Sequence, residues 1–415
     1  MKRFLAILMM ICLFLSGCAR QSENGAMPDT VIDTPPAASE ETENNSPAAP
    51  KEVTELGVDW IVRNGIKQHP DEEMLAAQTA FALNLLRYGE KGKNQLISPL
   101  SASAALVLAA NGAEGKTLEE FLAVLGVSSK EEMNMQYGKW FDTATKHMLF
   151  ANSVWIRQGE AVKEDYLSTC KNNYDVEIFQ GIDPQAVNAW LREETQGKIN
   201  EMNCSPDAAL HLINALAFDL LWQKGFEENG EDTFTDYAGK KHTLPEMKGK
   251  GEYYFELENA VGFTKRYAES PYTFAAILPE GDLDSFLEEL KPETLKAALG
   301  SKSSAEVTVE MPPFQYEMEA DLSETLSKMG IADAFKESAD FSGISQGLYL
   351  DKVIQKCVID VNEKGTAAGA ATDADMQKYG GETMYRTVKL NRPFVYMVLD
   401  MQTDLPVFIG TVATF

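Results

Sequence analysis

An α+β domain is the fold class that this 415-residue chain predicts, and three observations lead there. Helix punctuation crowds the first part of the chain, long strand-like runs follow without regular strand–helix alternation, and no motif recurs at the roughly 20 to 50 residues that mark a repeat protein. With 44% hydrophobic and 24% charged residues the chain can bury a large core. No Pro/Gly/Ser-rich linker interrupts residues 70–415, so they are expected to fold as one domain.

The chain opens on Lys2 and Arg3 followed by about a dozen apolar residues, too short a run to span a bilayer and the right length for a secretory signal. It ends in Leu15-Ser16-Gly17-Cys18, which resembles the bacterial lipobox. That reading makes residues 1–17 the signal and Cys18 the acylated mature terminus; the alternative is an ordinary signal with a chance cysteine. Two or more acyl chains on Cys18 would anchor stably, where one would not. Residues 18–69 are then a tether: Ala19 to about Glu55 is rich in Pro, Ala, Ser, Thr, Asn and acid, and cannot bury enough apolar surface to fold. About 50 flexible residues reach roughly 40 Å. The expected location is outside the cell, anchored at a bacterial surface, with the membrane touched only through lipid.

In the folded part, Ser98-Pro99 reads as an N-cap with proline at the first helical position, and Leu100 to Ala110 is expected to stop at Asn111-Gly112 in a left-handed cap. Thr117-Leu118-Glu119-Glu120 reads as a capping box. Asp183-Pro184 opens a helix with Val187, Trp190 and Leu191 on one face, stopping near Gly197. Strands are expected at residues 211–222, 272–278, 306–311, 351–361 and 394–400. In the fourth, alternation puts Val353, Gln355, Cys357, Ile359 and Val361 on a buried face and Lys356, Asp360 and Asn362 on the other. Gln355 then needs hydrogen-bond partners inside.

Roughly 25 residues, about 363–387, separate that strand from one resuming near Val388, an unusual length for a structureless connection in a compact domain. Its first half holds small side chains and no proline, so nothing in it forbids a hydrogen-bonded strand. With period two, Thr366, Ala368, Ala370, Thr372, Ala374 and Met376 face one way, all uncharged. A short alanine-rich helix or a linker is the competing reading, supported by alanine's poor strand propensity.

Charge and chemistry narrow the function. The formal net charge of −26 repels phosphate backbones and anionic lipid, so nucleic-acid binding is not expected and neutral or basic protein partners are. Four histidines (His69, His147, His211, His242) and five cysteines, with no ligand spacing, supply neither a metal site nor a disulfide framework, and no cofactor motif is present. Gly343-Ile344-Ser345-Gln346-Gly347 matches the nucleophile-elbow pattern of serine hydrolases, but every histidine lies upstream of it, against the order that fold requires. Of Cys170, Cys204 and Cys357, the last is expected to be an inert core thiol.

Seven motifs in order then resemble the serpin family of protease inhibitors over essentially all of residues 70–415: residues 97–101 (ISPLS), 187–190 with 195–199, 214–222, 333–345, the 363–372 segment EKGTAAGAAT, 391–396 (NRPFVY) and 408–410 (FIG). The resemblance implies three β-sheets, eight or nine helices and an exposed reactive-centre loop. It implies an irreversible inhibitor that is no enzyme, whose loop is attacked by a serine protease, with cysteine proteases as a second class of target, and whose cleaved loop enters the central sheet before deacylation. It makes Glu363, Gly365, Thr366, Ala367, Ala368, Gly369, Ala370, Ala371 and Thr372 the hinge. It places Ser98, Ser101, Asn214 and Gln355 where that sheet opens, and Trp222 near the first insertion point. Many members have histidine where Gln355 stands; glutamine still donates and accepts but does not titrate. Family spacing from Glu363 makes Tyr379–Gly380 the scissile bond, attracting chymotrypsin-like or subtilisin-like proteases. Lys378, or a bond near Tyr385-Arg386, remains open for trypsin-like ones. A non-inhibitory member serving as a binding or carrier protein is the other reading, although such members tend to carry bulky, charged or proline residues in the hinge. A monomer is expected, and a body this acidic disfavours glycosaminoglycan activation.

Overall fold

The structure, a computed structural model, describes residues 53–55, 70–145, 148–218, 220–301, 303, 305–366 and 384–415. The expected signal, the expected acylation site at Cys18 and most of the expected tether lie outside them. All described residues belong to the unit Pro50–Phe415.

Three sheets and nine helices make up the described part. Sheet A runs β1 (Thr54–Glu55), β4 (Glu177–Gln180), β3 (Leu149–Ile156), β5 (Leu210–Ala217), β13 (Ile354–Val361), β12 (Phe314–Asp321). Sheet B runs β2 (Gln95–Ile97), β16 (Pro406–Val412), β15 (Phe394–Asp400), β10 (Tyr272–Pro279), β9 (Ala260–Arg266), β8 (Tyr253–Leu257). Sheet C runs β14 (Tyr385–Lys389), β11 (Glu306–Met311), β7 (Lys241–Gly251), β6 (Glu227–Thr235). The helices are α1 (Glu72–Arg87), α2 (Pro99–Gly112), α3 (Gly115–Leu125), α4 (Lys130–Ala144), α5 (Glu164–Tyr174), α6 (Pro184–Glu194), α7 (Leu283–Glu289), α8 (Pro292–Gly300) and α9 (Ser323–Met329).

Helix α2 is buried along its whole length and packs against both β5 and β16, as a helix apolar all round must. Helix α6 covers the other face of sheet A. Its Val187, Trp190 and Leu191 meet Trp155 and Ile213 there, with Trp155 stacked on Phe179 at 4.2 Å between centroids and edge-on to Trp190 at 6.0 Å.

Several local readings shift. Helix α2 runs through Gly112 and ends at Ala113 in extended backbone; the positive φ falls at Gly115 (52°) instead. Gly112 serves close packing: a Cβ there would sit 2.0 Å from Ile344 Cγ1, and its carbonyl accepts the Gly343 N–H at 3.1 Å. The capping box does not form, because its side chains have distant partners. Thr117 donates to Asp333 (2.8 Å) and accepts from the Asp340 N–H (2.9 Å), while Glu120 accepts from the N–H groups of Ala332 and Asp333. The strand expected at 211–222 stops at Ala217, leaving Leu221 and Trp222 in isolated bridges, and the one expected from 351 starts at Ile354. Thr54 and Glu55, assigned to the tether, pair with Gln180 and Phe179 at the edge of sheet A.

Candidate functional site

The centre of sheet A is joined over a short length only. β3 and β5 are laddered from Leu149↔Ala217 to Ile156↔Leu210, and β12 and β13 from Phe314↔Val361 to Asp321↔Ile354. Between these two halves, β5 and β13 pair in parallel only at Lys356↔Ala215, Cys357↔Leu216 and Val358↔Ala217. Beyond that short seam a cavity of about 580 Å³ is lined by Leu106 and Ala109 of α2, Leu212 and Ile213 of β5, and Leu350 and Val353. A strand entering between β5 and β13 has three pairs to break.

A polar band lies behind the seam. Gln355, on the buried face as the alternation requires, accepts from the Ser98 N–H through Oε1 (2.9 Å) and donates to the Ser98 carbonyl through Nε2 (2.8 Å). Ser98 Oγ caps α2 by accepting from the Ser101 N–H, Ser101 Oγ donates to Asn214 Oδ1 (2.7 Å), and Asn214 Nδ2 donates to Asn152 Oδ1 (2.7 Å). The band thus ties β13, α2, β5 and β3 together. Asn152 was not singled out from the sequence; its signal is a polar residue inside the apolar run LFANSVWI, and its buried Nδ2 has no partner. Cys357, beside Gln355, is fully buried, which pushes its thiol up to about 12 and leaves it unreactive at neutral pH. Lys356 faces the opposite side as expected, but it is buried there against Glu317 at 2.9 Å.

At the upper end of the seam the chain reverses. The Asn362 N–H donates to the Gly365 carbonyl (3.0 Å), and Asn362 Oδ1 accepts from the N–H groups of Lys364 and Gly365, closing a turn directly after β13. Gly365 then bridges Leu221 in antiparallel fashion, the Trp222 N–H reaches the Lys364 carbonyl (3.0 Å), the Phe226 N–H reaches that of Glu363 (2.7 Å), and the Thr366 N–H reaches that of Leu220 (2.7 Å). Only glycine fits at 365, where a Cβ would lie 2.4 Å from the Leu220 oxygen. Thr366 is buried, its hydroxyl 2.7 Å from that of Tyr267; Tyr267 stacks on Trp222 at 4.5 Å, and Trp222 Nε1 donates to the Asn362 carbonyl. The hinge residues Glu363, Gly365 and Thr366 therefore meet Trp222 at the mouth of the seam. Ala367 through Thr372, Lys378, Tyr379 and Gly380 lie outside the described residues.

Lys265 underlies this mouth. Its ammonium donates to the Lys250 carbonyl (3.0 Å) and lies 4.2 Å from the Phe226 ring centroid and 5.8 Å from that of Trp222. Burial, then repulsion from Lys224, pushes its pKa down to about 7, against the attraction of Glu252. Because the unfolded value is higher, the native form binds fewer protons between about pH 7 and 10.5, so stability rises with pH over that window by up to about 1.4 kcal/mol per unit and the penalty is complete below it. Lys265→Met is expected to raise the unfolding midpoint at pH 6 by several degrees, with the gap from wild type closing towards pH 10. Thermal scans from pH 6 to 10 check this; a gap independent of pH overturns it.

Ser345 has no catalytic setting. Its hydroxyl donates to Glu160 at 3.3 Å, and residues 343–347 form turns with no strand leading in and no helix leading out. Among the described residues no three His, Cys, Asp or Glu side chains are grouped to hold a metal, and no helix is long and apolar enough to cross a membrane.

Comparison with known proteins agrees with this arrangement. An uncharacterized serpin-like protein of Thermococcus kodakarensis is 28% identical over 99% of this chain and 98% of its own length. Human thyroxine-binding globulin is 26% identical over 82% of this chain and 89% of its own. Among solved structures, the thermophilic serpin tengpin in its native state superposes with a TM-score of 0.76 at 34% identity, covering 84% of this chain and 96% of that one. The three-sheet α+β architecture is the serpin fold. With the family model described as Serpin (serine protease inhibitor) matching residues 76–414, the chain belongs to the serpin family.

Proposed function

We propose that the chain inhibits serine endopeptidases irreversibly as a suicide substrate. One observation carries the reading: Thr366 sits at the mouth of a seam held by three residue pairs, the chain behind it already turned back towards the sheet. The protease's serine attacks the Tyr379 carbonyl carbon, the bond to Gly380 breaks, the Gly380 amine leaves with the proton, and an ester to the protease remains. The freed arm, small and uncharged at every second position, then enters between β5 and β13. About ten new ladder bonds at roughly 1 kcal/mol each, with burial of the inward methyls, supply on the order of 10 kcal/mol. If entry outruns hydrolysis of the ester, the protease is carried along and distorted; cysteine endopeptidases would be held through a thioester.

Tyr379 favours chymotrypsin-like or subtilisin-like targets, with Lys378 the competing site. The lipobox at Cys18 and the tether fit a single-chain inhibitor held outside a bacterial cell. The likeness to thyroxine-binding globulin favours a second reading, a carrier that keeps the fold without trapping.

Incubation with chymotrypsin, subtilisin and trypsin separates the two. The expected result is an SDS-stable adduct, a released peptide beginning at Gly380, and a cleaved form that unfolds about 20 °C or more above the native one. Cleavage with no adduct and no gain in heat stability makes the protein a carrier, and a peptide beginning at Tyr379 moves the bond to Lys378.

A further inference from the structure

After β5 ends at Ala217, residues 220–226 make only the isolated bridges Leu221↔Gly365 and Trp222↔Tyr267. Yet this segment holds the hinge: the N–H groups of Trp222 and Phe226 and the Trp222 indole reach the carbonyls of Lys364, Glu363 and Asn362. Without a ladder, its position depends on its two rings. The Phe226 ring lies against Gly249, where a Cβ would come within 2.7 Å of it, and edge-on to Trp222 at 5.8 Å between centroids. At Gly225, just before Phe226, a Cβ would lie 3.0 Å from the Glu363 oxygen, so the hinge turn rests directly on the backbone here.

The side chain of Lys265 joins these rings to two sheets. It leaves β9 in sheet B, and its ammonium donates to the Lys250 carbonyl on β7 of sheet C at 3.0 Å, 4.2 Å from the Phe226 centroid and 5.8 Å from that of Trp222. A desolvated cation at these distances attracts both rings. The charged groups that act on it are Lys224 in the segment itself and Glu252 after β7, the latter held by Arg266 at 2.8 Å. From β10 its cross-strand partner is the uncharged Phe274. Burial of the ammonium costs the fold stability, so packing alone does not account for a charge at this position.

We propose that Lys265 is a positioning residue for trapping: its ammonium holds the Phe226 and Trp222 rings, they hold residues 362–366 at the mouth of the seam, and the acyl-enzyme is thereby trapped before it is hydrolysed. This role rests on the reading that the cleaved loop enters sheet A, and adds a group, outside both the loop and the polar band, that acts on the first step of entry. Removing the charge frees the rings, the hinge leaves the mouth more often, and hydrolysis of the ester gains on entry.

The test compares full-length wild type with Lys265→Met, Phe226→Leu and the double variant at pH 6 and pH 9. Hydrogen exchange is followed at the 220–226 and 362–366 amides, and the stoichiometry of inhibition is measured with one protease. Stoichiometry minus one is the rate of ester hydrolysis over the rate of entry, so its ratio between two variants cancels the protease's own pH dependence. Because burial pushes the Lys265 pKa down to about 7, the ammonium is present at pH 6 and lost by pH 9. Lys265→Met is expected to raise that quantity about threefold to tenfold over wild type at pH 6 and to converge with wild type at pH 9, with hinge exchange faster by a similar factor at pH 6 only. At pH 6 the double variant should be no worse than Phe226→Leu, since the cation acts through that ring. Equal stoichiometry and equal exchange in wild type and Lys265→Met at pH 6 overturn the role. So does slower trapping with unchanged or slower hinge exchange, which a gain in native stability alone would produce. Adducts in none of the proteins, with faster hinge exchange in Lys265→Met at pH 6, support Lys265 as the holder of the hinge and sink the inhibitor reading instead.

Discussion

Thr366→Arg is expected to turn the protein from an inhibitor into a substrate. Thr366 is 2% exposed, and its hydroxyl lies 2.7 Å from that of Tyr267 at the mouth of the seam. An arginine there would have to bring a charge with no counter-ion into the sheet as the first step of entry, at a cost of several kcal/mol. Since about 1.4 kcal/mol on one of two competing steps shifts their ratio tenfold, hydrolysis of the acyl-enzyme then wins by far. The variant is expected to fold with its hinge displaced from the mouth, the Thr366 N–H and the Leu220 carbonyl then met by water, and circular dichroism with an intact unfolding transition checks this. SDS-stable adduct should fall below about a tenth of wild type, while cleavage of the loop stays within about twofold. Thr366→Val, which keeps shape and neutrality, should retain most of the adduct. Wild-type adduct yield from Thr366→Arg would falsify the assigned hinge.

Gln355→Met is expected to loosen the native form without abolishing trapping. Methionine matches the length but offers neither donor nor acceptor, so the Ser98 N–H loses the Gln355 oxygen; the Ser98 carbonyl keeps the Ala102 N–H at 2.9 Å. One orphaned buried donor costs about 1–3 kcal/mol. The unfolding midpoint of the native form should drop by about 3–8 °C, and adducts should still form. An unchanged midpoint in calorimetry would show that the band behind the seam does not hold it closed. Gln355→His should instead keep the donor and acceptor and add a dependence of the midpoint on pH near neutrality that the glutamine cannot give.

How far these features can be read from sequence depends on the distance over which each is decided. The cap at Ser98-Pro99, the cap at Asp183 with its buried Val187, Trp190 and Leu191, and the inward placement of Gln355 follow from spacing within a few residues, and the structure has them. The Thr117–Glu120 pattern has the same local form, yet its side chains serve backbone and carboxylate groups more than 200 residues away. Gly112 looked like a helix terminator and is a contact point for Ile344. Asn152 carries no motif; it matters because strand register sets it opposite Asn214.

By itself the sequence determined the fold class, the family order of the motifs and the small uncharged residues from Gly365 to Thr372. These are properties of composition, periodicity and turn chemistry, fixed by neighbours along the chain. Only the tertiary structure decided that β5 and β13 meet over three pairs, that Gln355 holds both backbone groups of a residue 257 positions away, and that Lys389 collects carboxylates from three strands. Pairing and charge clustering between distant segments depend on how whole layers pack, and packing is a sum over the molecule that no short window of sequence contains.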